Sequence, residues 1–152
     1  MSSSNKNNNS APLPRLTADG DWAMLEGEND GQPMIVRRND TVVPYAGHRE
    51  LPFRLGVAIP FVRPDENGFP DAEETGDLDQ IEDALVDNLQ DEQTGVLALV
   101  ITTGGMREFV CYMRSTEDGD TAVQAAAAAG EEHEIQYYVE EDPEWQLYSQ
   151  FT

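Results

Sequence analysis

Apolar and polar positions alternate most cleanly over residues 53–62, FRLGVAIPFV. Phe53, Leu55, Val57, Ile59 and Phe61 fall on one side, and Arg54, Gly56, Ala58 and Pro60 on the other. A period of two predicts a strand with one face in a core. The period then changes: Leu78, Ile81, Leu85 and Leu89 form one helical stripe, which predicts a helix over 77–90 with Asp77 as N-cap and Gln80 in the capping-box position. GVLALVITTGG reads as a buried strand over 96–103, turned at Gly104-Gly105 into a hairpin partner over 107–114. In that partner Phe109, Cys111 and Met113 alternate with Val110, Tyr112 and Arg114. TAVQAAAAAG predicts a helix over 120–129, capped by Asp120 or Thr121 and stopped by Gly130. HEIQYYVEE predicts a strand over 134–140 with Ile135, Tyr137 and Val139 on one face. DPEWQLYSQF closes the chain as a short helix, with Asp142 as N-cap and Pro143 as its first residue.

Upstream, DWAMLEGE and QPMIVRRN are strand-like runs separated by Asn29-Asp30-Gly31, a turn signal because Asp and Gly tolerate positive φ. The order from residue 53 onward is βαββαβ. With right-handed crossovers this predicts an α+β, ferredoxin-like sandwich with an added N-terminal β-hairpin and a short C-terminal helix. The Ser/Asn/Pro-rich residues 1–18 are expected to be a disordered leader, and 19–152 a single α+β domain.

Composition narrows the function. Residues 71–92 carry ten carboxylates and no Lys or Arg, and the 152-residue chain has a formal net charge of −21. Most of the acid in that stretch, Asp79, Glu82, Asp83 and Asp87 among it, lies off the leucine stripe and is expected to be a solvated helix face. General electrostatic attraction to nucleic acid or an anionic membrane is disfavoured. The first residues, MSSSNKNNNSAPLP, have no apolar core of a signal peptide, and no apolar run reaches the roughly 20 residues of a membrane span. One cysteine, Cys111, permits no internal disulfide and no cysteine-based zinc site, in keeping with a reducing cytoplasm.

Several short motifs converge on one bacterial family. They are Trp22 at the start of the first strand, Ile59-Pro60 at the end of another, and Gly68-Phe69-Pro70 before the acidic helix. The run Thr103-Gly104-Gly105-Met106-Arg107-Glu108-Phe109 and the ending Asp142-Pro143-Glu144-Trp145-Gln146-Leu147-Tyr148 complete the set. Over roughly residues 20–151 the chain resembles the domain family of unknown function numbered 695. The resemblance implies no catalytic residues, since the family carries no established activity. In some related chains this kind of domain is joined to one similar to B-type regulators of ribonuclease E, a second domain not expected in a chain ending at Thr152.

Catalytic chemistry finds little purchase. Asp65-Glu66-Asn67-Gly68 resembles a calcium loop, but its first position is wrong, Pro70 interrupts it and the twelfth position lacks Glu. Cys111 sits mid-strand among apolar residues, His133 precedes another strand and His48 lies in a loop, so no nucleophile–base pair has a local signature. No G-x-S-x-G, phosphate loop or dinucleotide fingerprint occurs. No catalytic residue, metal ligand or cofactor is therefore expected. The sheet face opposite the helices would carry Arg54, Tyr112, Arg114 and Tyr138, residue types enriched at recognition hot spots. The N-terminal hairpin or the terminal helix, with Trp22 or Trp145, could instead cover that face and make the tyrosines a second core. The expected function is a cytoplasmic, non-enzymatic protein-binding or regulatory module. The alternative is an acidic decoy or immunity-type inhibitor occupying the basic site of a nucleic-acid enzyme.

Overall fold

The computed structural model describes residues 12–152. The first hairpin joins β1 (Trp22–Asn29) to β2 (Gln32–Asn39), and a 3₁₀ helix (Asp40–Tyr45) follows. Then come β3 (Phe53–Pro60), α1 (Ala72–Asp91), β4 (Gly95–Thr103), β5 (Met106–Met113), α2 (Thr116–Ala129), β6 (Gln136–Glu141) and the one-turn α3 (Gln146–Ser149). The strands form one open antiparallel sheet in the order β1-β2-β4-β5-β3-β6. The fold is α+β: six strands and two main helices.

Both main helices lie on one face. Leu78, Ile81, Leu85 and Leu89 of α1, with Ala122, Val123 and Ala126 of α2, pack on Leu55, Val57 and Ile59 of β3 and on Phe109, Cys111 and Met113 of β5. The alternation read along 53–62 is the alternation observed. β4 buries both its faces, and its register against β5 shifts between Leu97 and Leu99. Leu97 then pairs with Cys111 on the helix side, while Leu99 pairs with Val110 on the other. A bulge resolves what a run of apolar residues could not show by period.

The second face is also a core. Val36, Val96, Leu99, Val110 and Tyr112 are roofed by Val42, Tyr45, Leu51, Trp145 and Tyr148, and by Leu16. Residues 1–11 of the expected leader lie outside the described residues. Residues 12–18 reach the domain: Leu16 is buried, donates its N–H to Gln93 Oε1 at 2.7 Å and accepts from Gln93 Nε2 at 3.0 Å.

Three helix starts differ from expectation. α1 begins five residues earlier than its apolar stripe suggests, with Asp71 rather than Asp77 as N-cap, accepting from the Glu74 N–H at 2.8 Å. Glu74 extends the buried stripe by one turn, and a buried carboxylate is invisible to a search for apolar residues. α2 begins at Thr116, capped by Ser115 instead of Asp120 or Thr121. At the C-terminus Pro143 is not the first helical residue. Trp145 adopts a left-handed conformation (φ 55°) and α3 starts after it, although Asp142 still accepts the N–H groups of Gln146 and Leu147.

The acidic outer side of α1 is solvated at Asp79, Asp83 and Asp87, but Glu82 is half-buried and ion-paired with Arg37. The triple variant Asp79→Asn, Asp83→Asn, Asp87→Asn should melt at the same or a slightly higher temperature, because it relieves self-repulsion. Glu82→Gln should lower the melting temperature, because Arg37 loses its partner. Thermal melts of the two variants side by side separate solvated from structural carboxylates, and a large drop for the triple variant would refute the assignment.

Candidate functional site

The sheet face opposite the helices brings three of the four expected residues together. Arg54 Nη1 donates to Asp142 Oδ2 and Nη2 to Glu140 Oε2, both at 2.8 Å, and its guanidinium lies 5.5 Å from the Tyr138 ring centre. Tyr112 Oη donates to the same Asp142 Oδ2 at 2.8 Å, and Tyr138 Oη donates to Glu108 at 2.9 Å. Tyr138 lies over Gly56, where an added Cβ would fall 2.1 Å from the ring. Arg114 stands apart on the exposed side, bonded to Glu50 and to the Gln93 carbonyl.

The Tyr112–Asp142 part of this network is roofed, while Glu140 at its other end is exposed. Trp145 stacks on Tyr112 with ring centres 4.1 Å apart and donates Nε1–H to the Leu51 carbonyl, so Tyr112 is fully buried. Burial pushes the Asp142 carboxyl upward. The N–H groups of Gln146 and Leu147, Tyr112 and Arg54 outweigh it and hold the group below its ordinary value. Burial first, then Glu108, raises Tyr138 to about 12. The face works as a clamp on the C-terminal segment.

Cys111 and His133 do not form a reactive pair. Cys111 is fully buried in the helix-side core, and burial raises its thiol far above the usual range. His133 Nε2 is bonded instead to Glu74 Oε2 at 2.8 Å, both side chains being almost inaccessible. Glu74 also accepts the N–H groups of Val62 at 2.6 Å and Arg63 at 3.4 Å. Burial pushes its carboxyl up, but these hydrogen bonds prevail and its pKa is lowered. The adjoining cleft, about 400 Å³, is lined by Val62, Arg63, Glu73, Asp77 and Glu132 and offers no hydroxyl or thiol nucleophile. The pair latches the end of β3, the first turn of α1 and the segment before β6.

In the resembling calcium loop, Asp65 Oδ1 accepts the N–H groups of Asn67 and Phe69. Among the described residues no group of three or more His, Cys, Asp or Glu side chains is placed to hold a metal ion.

A different cleft, about 330 Å³, opens on the helix side between β1, β2 and the loop before α1. Its walls are Met24, Ile35, Phe69, Pro70 and Val100, and its polar groups are Thr75, Thr102, Arg37 and Arg107. Two motifs meet here. Gly68 (φ 84°) lies against the Gly104-Gly105 turn so closely that a Cβ would be 2.9 Å from the Gly105 nitrogen, and this contact seats Phe69 and Pro70 beside Arg107. Arg107 Nε donates to Thr102 Oγ1 at 2.9 Å. Arg37 is ion-paired with Glu82 and lies 5.4 Å from the Trp22 ring centre. Burial and then the neighbouring Arg37 lower the Arg107 pKa from its usual value, against a smaller opposite pull from Glu82 and Asp79.

Residues 20–152 match a family described as a family of unknown function, DUF695. The chain belongs to this family. No curated protein and no solved structure matches it. The DUF695 motifs quoted from the sequence thus have a structural sense: Gly-Phe-Pro and Thr-Gly-Gly-Met-Arg build one cleft, and Asp-Pro-Glu-Trp closes the opposite face. The arginine cleft was missed in the sequence although a signal was present. Arg107 continues the Phe109, Cys111, Met113 side of its strand, so an alternation read one step further places a cation on the helix-covered face.

Proposed function

We propose that this DUF695 chain is a non-enzymatic binding module that docks a partner protein at the cleft holding Arg37 and Arg107. The observation that carries the reading is the pairing of two arginines with an apolar wall beside Met24, which is 66% exposed on an edge strand. Met and Arg are enriched at the cores of protein interfaces, and here an exposed Met24 rims a cleft whose apolar walls Ile35, Phe69 and Pro70 are half-buried. A ferredoxin-like topology agrees with the order β6-β3-β5-β4 of the last four strands, with the first hairpin added beyond β4. A cytoplasmic location agrees with a single buried thiol, and no helix among the described residues is long and apolar enough to cross a membrane.

A photo-crosslinking side chain at position 24 should trap a partner in a bacterial lysate, while the same group at Val43, 51% exposed, should not. The adduct at position 24 should weaken with Arg107→Gln. Equal trapping at both positions, or none at 24, would refute the docking site. The decoy reading draws on the exposed Asp79, Asp83 and Asp87 of α1, a helix with no basic residue. It requires that neutralising those three residues abolish capture and that the wild-type complex dissolve steeply with salt.

A further inference from the structure

The occupant of the arginine cleft can be read more closely, on the reading of that cleft as a docking site. Four arginines of the described chain are partly buried: Arg37, Arg38, Arg54 and Arg107. The first three have carboxylate partners in Glu82, Asp40 and the Glu140–Asp142 pair. Among the described residues Arg107 has no ion pair, and the other arginines without one, Arg15 and Arg49, are exposed to water. Glu82 and Asp79 act on Arg107 without touching it, and a partly desolvated cation with no direct ion pair is costly unless an anion is supplied.

Geometry says which anion. Thr102, itself buried, takes the Nε–H of Arg107 and fixes the plane of its guanidinium. The two terminal nitrogens remain for the fork that fits a carboxylate bidentately. Glu82 already answers Arg37, so Arg107 is the unmatched charge, on a protein that is otherwise strongly acidic. Around it Ile35, Phe69, Pro70 and Val100 offer an apolar wall. A phosphate would find no such use for that wall.

We infer that the cleft receives a carboxylate carried beside an apolar side chain of the partner protein, with Arg107 as the carboxylate-binding residue. N-acetyl-L-leucine reproduces that pairing in its smallest form, and N-acetyl-L-leucinamide is its neutral counterpart. In an amide NMR titration of the full chain, the acid should shift Thr75, Thr102 and the Arg107 side-chain N–H. The amide should bind at least about tenfold more weakly, the loss of one charge-assisted pair. Arg107→Gln should remove the acid's advantage, while Arg49→Gln should keep it. Arg107→Lys retains the charge without the fork and should bind the acid less tightly than wild type, which carries the test if Arg107→Gln does not fold. Equal binding of acid and amide, acid shifts that survive Arg107→Gln, or no shift at these residues would overturn the inference. The acid should also compete with the partner adduct at position 24. An adduct formed without acid binding in the cleft sinks the carboxylate and leaves the docking site standing. Acid binding without any adduct sinks the partner protein as the source of the carboxylate.

Discussion

Trp145→Ala is expected to cost about 3–5 kcal/mol of folding stability, as for other buried aromatic side chains. The indole is fully buried, stacked on Tyr112 at 4.1 Å and met edge-on by Tyr148 at 5.5 Å and Tyr45 at 6.3 Å. Its removal opens a cavity in the second core and leaves the Leu51 carbonyl without its donor. Because a large part of the roof hangs on one ring, little of the cavity can collapse. Trp145→Phe should cost less, since it keeps a stacking ring and loses the N–H donor and some contact area. Urea unfolding measures both, and an unchanged midpoint for Trp145→Ala would show that the C-terminal segment does not close this face.

Asp142→Ala should be comparably damaging, about 3–5 kcal/mol, because it breaks a buried ion pair from one side. Arg54 and Tyr112 lose their common acceptor, and the Gln146 and Leu147 N–H groups lose their cap. The pH dependence has a definite sign. Asp142 and Glu74 both have folded pKa values below their ordinary 3.8 and 4.5, despite burial that pushes the other way. Their stabilisation is therefore complete above the unfolded values and is lost as pH falls through the folded ones. Wild-type protein should lose stability on acidification below about pH 4–5, with Asp142→Asn and Glu74→Gln each flattening that limb. A wild-type stability that rises on acidification through this range would contradict the assignment.

The local alphabet of the chain is legible in its sequence. Period two over 53–61 gives the two faces of β3, and Leu78, Ile81, Leu85 and Leu89 give the buried side of α1. The Asn-Asp-Gly turn, with Asp30 and Gly31 at positive φ, makes the first hairpin. Each of these features depends on residues a few positions apart, and the backbone's own periodicity reports them.

Polar residues buried by distant partners could not be read that way. Glu74 belongs with His133, 59 residues away, and Arg54 with Asp142, 88 away. Arg37 and Arg107 enter one cleft only because β2 pairs with β4, which no local pattern specifies, beside the β4–β5 hairpin that the Gly104-Gly105 turn announced. Sequence chemistry therefore marked which side chains could bind charge and which faces were apolar. Long-range strand pairing chose which arginine is clamped by Asp142 and which is left facing an open cleft, because a charge's role depends on the partners brought around it.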